Sequence, residues 1–119
     1  MARRSLSEQT FLVLTALSAE PLHGYGIVRA ASELSGGEVT LRVGTLYGAL
    51  DRLCADGLVE PDREEIHQGR ARRYYRITDT GMAELVRDAG RRAHMADVAL
   101  ERGRASRRVP GLPTGEASA

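Results

Sequence analysis

"VGTLYGALDRLCADGLV", residues Val43 to Val59, reads as one short helix with its stop signal, and the reading of its two sides decides the fold. At the helical period, Leu46, Leu50 and Leu53 fall within a narrow arc, which is the core side. Opposite them lie Gly44, Gly48 and Ala55, flanked by Thr45, Asp51 and Arg52, with Tyr47 at the margin. That side is shaved down rather than built up for solubility. Glycine costs helix stability but lets the backbone approach a partner closely. A DNA major groove admits one helix, and its fit depends on what projects from the approaching face. Thr45 and Tyr47 can donate to phosphate oxygens or base edges, and Arg52 is the candidate for a guanine or a phosphate. Asp51 either accepts from a cytosine amino group or pairs with an arginine such as Arg42 and orients it. An ordinary exposed helix face has the same pattern, so the stretch needs its neighbours.

Upstream, Ser7 is placed to cap a first helix on which Phe11, Leu12, Leu14, Thr15 and Leu17 form a broad apolar face, closed by Glu20-Pro21. "LHGYGIVRAASELSGG" supplies a second helix from about Gly24 to Ser35, with Ile27, Ala30, Ala31 and Leu34 on one side and Gly36-Gly37 as its end. "EVTLR", residues 38–42, alternates as a very short strand does. Downstream, Leu58 and Val59 start one strand and Arg72 to Thr78 form a second. Between them "PDREEIHQG" is expected to be a charged loop, so that the two strands make a hairpin. "TDTG" launches a last helix from about Thr80 to Arg102, and "RASRRVPGLPTGEASA" has the composition of a disordered tail.

The expected fold is therefore mainly α: a winged helix-turn-helix domain over residues 1–78, with a two-stranded β wing and the Val43 helix as recognition element. A C-terminal helix covers 79–102 and a tail covers 103–119. The wing strengthens the nucleic-acid reading. "GRARRYYRIT" puts Arg70, Arg72, Arg73 and Arg76 within seven residues, with Tyr74 and Tyr75 between them. Along a strand Arg73, Tyr75 and Ile77 share one face, so Tyr75 and Ile77 pack inward. Arg70 and Arg72, near the tip, point where a wing meets the DNA backbone or minor groove. The acidic Asp62, Glu64 and Glu65 in the same hairpin imply that only the Gly69 side of the tip faces DNA.

Composition narrows the alternatives. The 119 residues suffice for one domain with a modest core, and with one Phe, four Tyr and no Trp that core is built of Leu, Val, Ile and Ala. All 17 basic residues are arginine, the better bidentate partner of phosphate and guanine, yet the net charge is only +1, so the argument rests on where charge sits. The single cysteine, Cys54, rules out an internal disulfide and reads as a small buried hydrophobe. No apolar run approaches the roughly 18 residues of a membrane span, and the N-terminus does not have the pattern of a secretion signal, so a cytoplasmic protein without membrane contact is expected. His23, His67 and His94 are scattered, with no metal-ligand spacing, and no catalytic motif is present. Neither an enzyme nor a bound cofactor or metal is expected. The competing reading is a winged-helix protein-interaction module without specific DNA binding, which the near-neutral charge and acidic hairpin favour.

"PLHGYGI" (Pro21–Ile27), "GTLYGALDRLCADGLV" (Gly44–Val59), "GRARRYYRIT" (Gly69–Thr78) and Gly81 together resemble the PadR-like family of bacterial transcriptional regulators, in its order and spacing, over roughly residues 6 to 100. One departure is Gly48, where the family often carries proline. The resemblance implies a homodimeric transcription factor that binds double-stranded DNA, usually a repressor. It also implies that Tyr47 lies near DNA, that the wing arginines touch the backbone, and that Tyr25 is a structural residue within reach of phosphate. His23 beside it reads as a loop or packing residue. Some relatives respond to small aromatic or drug-like effectors, but this chain offers no tryptophan to stack one. The last helix carries the dimer expectation: Met82, Leu85, Ala89, Ala93, Ala96 and Leu100 recur every three or four residues, a stripe longer than a single wing domain covers. Burial against a twofold mate, together with Phe11 and Leu14 of the first helix, is the simple solution, and folding back on its own domain is the other.

Overall fold

The computed structural model describes residues 5–106. Ser7 opens α1 (Glu8–Ala19), its hydroxyl accepting from the Thr10 amide at 3.1 Å, as the capping signal predicts. Leu12, Val13, Leu14, Ala16 and Leu17 are all buried, so α1 is enclosed on most of its circumference and is the central helix. A two-residue strand β1 (Leu22–His23) leads into α2 (Gly24–Leu34), followed by α3 (Val43–Ala55), β2 (Val59–His67), β3 (Arg70–Ile77) and α4 (Asp79–Ala105). The core joins Leu12, Val13, Leu14 and Leu17 to Ile27 and Ala31 of α2, Leu46, Leu50 and Leu53 of α3, Val59, Tyr75 and Leu85. Each buried leucine, isoleucine or valine among them contributes about 1.5–3 kcal/mol relative to exposure.

Three expectations need correction. First, residues 38–42 form no strand. The Val39 and Glu38 amides are taken by Ser35, at its hydroxyl (2.9 Å) and carbonyl (3.2 Å), so this backbone closes a turn after α2 while Leu41 drops into the core. The short strand is β1 instead, and the wing is part of a three-stranded antiparallel sheet in the order β1-β3-β2. Second, the charged stretch after Pro61 is strand rather than loop. Glu60, Glu64 and Glu65 stand opposite Arg76, Arg73 and Arg72 across the hairpin, so the charge run is a ladder of opposed pairs. Proline is tolerated because β2 is an edge strand with a register shift between Pro61 and Glu64.

Third, Leu14 and Leu85 are core residues, 0% and 6% exposed, with no surface left for a mate. Helical periodicity shows which residues share a face but not which neighbour covers it. The chain divides into two compact units, one through Asp88 and one from Ala89. Helix α4 continues past Arg102 to Ala105; of the expected tail, residues 107–119 lie outside the described residues, as do residues 1–4.

The start of α4 is fastened to the end of α3. Thr78 donates through its amide to the Leu58 carbonyl (3.0 Å) and through its hydroxyl to the Gly57 carbonyl (2.6 Å), and accepts from the Gly81 amide at 2.9 Å. Gly81 sits so close that a Cβ there would run into the Leu58 carbonyl oxygen and lie 2.8 Å from Ile77 Cγ1. The G81A variant is expected to lose about 1–3 kcal/mol by overpacking against backbone that cannot move aside. G90A, on the same helix with nothing within 4 Å of the added carbon, is expected to gain up to about 1 kcal/mol. Chemical denaturation of the two variants checks both signs.

Candidate nucleic-acid interface

Helix α3 presents the face that its sequence predicts. Leu46, Ala49, Leu50 and Leu53 are buried, whereas Gly44, Thr45, Tyr47, Asp51, Arg52 and Ala55 are exposed. At Gly44 an added Cβ would meet nothing, and beside Gly48 the Arg52 guanidinium lies 3.8 Å from where a Cβ would stand. Asp51 forms no ion pair with Arg42 or Arg52 among the described residues, so the orienting role that the sequence allowed is not adopted here.

Tyr47 leans from α3 onto the first turn of α2. A Cβ at Gly24 would lie 2.6 Å from the Tyr47 hydroxyl, so the absence of a side chain at position 24 gives the tyrosine its place. Tyr25, the next residue, is 68% exposed. Between these tyrosines and the wing tip opens a cleft of about 520 Å³, lined also by His23, His67, Arg70 and Arg72. The structure thus brings Tyr25, Tyr47, Arg70, Arg72 and Arg73 to one concavity, with the exposed Thr45, Asp51 and Arg52 and the half-buried Gly48 along the outer side of α3.

The arginines of the wing are not equivalent. Arg76 binds Glu60 (2.8 Å) and Asp62 (2.9 Å), while Arg63 binds Asp62 and Glu65 and stacks 4.0 Å over the Tyr74 ring. The bond from Arg76, joined by one from Arg63, holds the Asp62 carboxyl below the usual carboxylate range. Arg73 approaches Glu64 at 3.5 Å, with both side chains more than half exposed, a contact worth little. Arg70 has no ion pair or hydrogen-bond partner among the described residues; Arg72 forms no ion pair either, its hydrogen-bond-range contact being His23, and it acts on Glu65 across the hairpin through its charge alone. The acidic residues therefore neutralise the outer wing and leave two of the three cleft arginines, Arg70 and Arg72, without an ion pair.

His23 is the residue whose role the sequence did not reveal. Its Nδ1 accepts from the Gly26 amide at 3.4 Å and so caps α2, its Nε2 lies 3.3 Å from an Arg72 nitrogen, and its ring meets Tyr74 edge-on at 5.2 Å. The only signal was its position, immediately before a glycine that starts a helix. Burial first, then the Arg72, His67 and Arg29 charges, lower its pKa from the ordinary 6.5, with Glu65 opposing.

On α4, Leu100 is 58% exposed, and Ala93, Ala96 and Val86 are exposed as well. Ala89 and Met82 are half-buried, Met82 and Phe11 packing against the core. Among the described residues no helix is long and apolar enough to cross a membrane.

The family model for the Transcriptional regulator PadR-like family matches residues 13–87. An uncharacterized 37.1 kDa protein in transposon TN4556 of Streptomyces fradiae is 40% identical over 95 residues, 80% of this chain and 26% of that protein. Transcriptional regulator Rv3488 of Mycobacterium tuberculosis is 48% identical over 56 residues, 47% of this chain and 51% of that one. The chain thus spans about a quarter and about half of these two curated relatives. Among solved structures, a PadR family transcription regulator from Clostridium difficile R20291 superposes with a TM-score of 0.68 at 23% identity, covering 80% of this chain and 97% of that one. Bacillus subtilis PadR in complex with operator DNA superposes with a TM-score of 0.57 at 26% identity, covering 64% and 43%.

Because the folded state lowers the His23 pKa, the unfolded chain binds the extra proton more readily as pH falls towards 6.5 and below. Stability contributed by neutral His23 is therefore complete above that value and lost on acidification. Thermal unfolding at pH 7.5 and 5.5 is expected to show a larger loss of Tm for the wild type than for H23N, whose asparagine caps the helix without titrating.

Proposed function

The chain belongs to the transcriptional regulator PadR-like family, and from that premise we propose that it is a homodimeric, sequence-specific DNA-binding regulator that represses by occupying a pseudo-palindromic operator. The observation that carries the reading is the meeting of the shaved face of α3 with a cleft in which two of three arginines, Arg70 and Arg72, form no ion pair among the described residues. In it, α3 enters the major groove with Thr45, Asp51 and Arg52 toward the bases, and Gly44 and Gly48 permit close approach. Tyr25, Tyr47, Arg70, Arg72 and Arg73 take the flanking backbone and so fix register rather than sequence. The operator complex of Bacillus subtilis PadR, a relative of the same fold, supports this reading.

The dimer half of the proposal rests on α4. Val86, Ala93, Ala96 and Leu100 are exposed apolar positions at spacings of seven, three and four, and they replace Leu14 and Leu85 in the proposed contact. Alanine at two of the four allows two helices to approach closely. A twofold dimer sets two recognition helices roughly 34–36 Å apart, one turn of DNA, and so reads an inverted repeat.

Selection of purified protein on random duplexes, read by sequencing, is expected to enrich an inverted repeat. On that site, affinity is expected to fall steeply with salt, and R70Q to flatten the slope by about one per protomer. Sedimentation is expected to give a dimer that L100E converts to monomer. Weak binding without a motif, even at low salt, would sink the repressor and put a winged-helix protein-interaction module in its place.

A further inference from the structure

His23 faces a donor with each of its ring nitrogens. On one side is the Gly26 amide, 3.4 Å from Nδ1, and on the other the Arg72 guanidinium, 3.3 Å from Nε2. A neutral imidazole has one acceptor nitrogen, and an arginine can only donate. One of the two contacts is therefore not a hydrogen bond. The choice between them follows from mobility. The Gly26 amide belongs to the first turn of a helix and has no other acceptor, whereas Arg72 is a long side chain at the rim of an open cleft. The backbone keeps the lone pair of Nδ1, which places the ring proton on Nε2.

Nε2–H and the Arg72 guanidinium are then two donors converging with no acceptor between them. An oxygen about 2.9 Å from both would complete the arrangement, and none of the described residues supplies it. Two converging donors without an acceptor describe a site for an anion. The same cleft carries Arg70, and the Tyr25 and Tyr47 hydroxyls border it. Glu65 is the carboxylate close enough to His23 to influence it, and it is bound to Arg63 at 2.8 Å.

Resting on the DNA-binding reading above, we infer that His23 and Arg72 jointly seat one non-bridging oxygen of a backbone phosphate, His23 as a neutral Nε2–H donor whose tautomer is set by its capping of α2. His23 then has two duties on opposite sides of one ring. It closes the start of the helix with Nδ1 and presents a donor to the phosphate with Nε2. The guanidinium brings the charge and the imidazole brings direction. Arg72 is drawn off the imidazole onto the phosphate when DNA arrives, so the crowding of two donors in the free protein is relieved by the ligand.

The test separates the two duties. In the free wild-type protein, ¹⁵N correlation spectra of the imidazole at pH 7.5 are expected to show the Nε2–H tautomer; the Nδ1–H tautomer overturns the inference without any variant. H23N keeps a helix-capping oxygen but is too short to reach the phosphate. It is expected to hold Tm at pH 7.5 close to wild type and to bind the selected duplex about tenfold more weakly. Its salt dependence is expected to be unchanged, because no charge is removed, whereas R72Q loses both affinity and slope. Duplexes carrying single methylphosphonates then locate the contact: at one backbone position per half-site the neutral linkage should weaken wild type but cost H23N much less. Equal affinity of H23N and wild type, or strictly additive losses at every position, overturns the seat while leaving DNA binding intact. A wild-type protein that binds no duplex overturns the DNA-binding reading and the seat with it.

Discussion

Two backbone residue pairs, Leu22 with Tyr75 and His23 with Tyr74, hold the start of α2 against the wing, and the geometry of the site depends on them. A two-stranded hairpin alone is marginal in water. Here β1 protects one edge of β3, while Tyr75 enters the core from the opposite face of the strand to Tyr74. The pairing fixes where α2 can begin. His23 is the last strand residue and the helix cap at once, so its ring stands against Tyr74 and Arg72 because the register puts it there. Gly24 then leaves the space that Tyr47 fills. Three elements distant in sequence converge on one cleft through a strand of two residues.

Much of this architecture was legible beforehand, and the reasons are local. Ser7, Glu20-Pro21, Gly36-Gly37 and Gly57 are start and stop signals that act within a few residues, and the leucines of α3 identify its buried side by period alone. β1 was not legible because two residues carry no alternation, and its partner lies more than fifty positions away. β2 was misread because proline and dense charge argue against a strand, yet an edge position excuses the first and cross-strand arginines the second. Within the candidate site, the exposed face of α3 and the cleft arginines could be named from sequence. The capping role of His23 could not, since it follows from a contact made only after the helix and the sheet have met.

The same limit explains Leu14 and Leu85. Both fall on apolar stripes, and a stripe can be covered by its own domain or by another molecule. In α1 the domain covers it. Along α4 the answer changes with position: Leu85 joins the core of the first unit, while Val86, next to it, stays exposed. A surface for a second protomer is thus defined only after subtraction of what the domain buries for itself.

Net charge is a poor guide to this chain for a related reason. At +1 it lacks the strongly basic balance that often marks nucleic-acid binding. The structure shows how little that sum conveys. Arg63 and Arg76 are tied to Glu60, Asp62 and Glu65, which cancel charge on the outer wing, and Arg73 leans on Glu64. Arg70 and Arg72 are left to a concave surface, where a low-dielectric wall focuses their field. Beside them lie the tyrosine hydroxyls and the His23 ring, which on the proposed reading add donors with direction but no net charge. On the proposed reading, such a site would hold a phosphate as much by the geometry of its donors as by attraction, and a nearly neutral chain can build it.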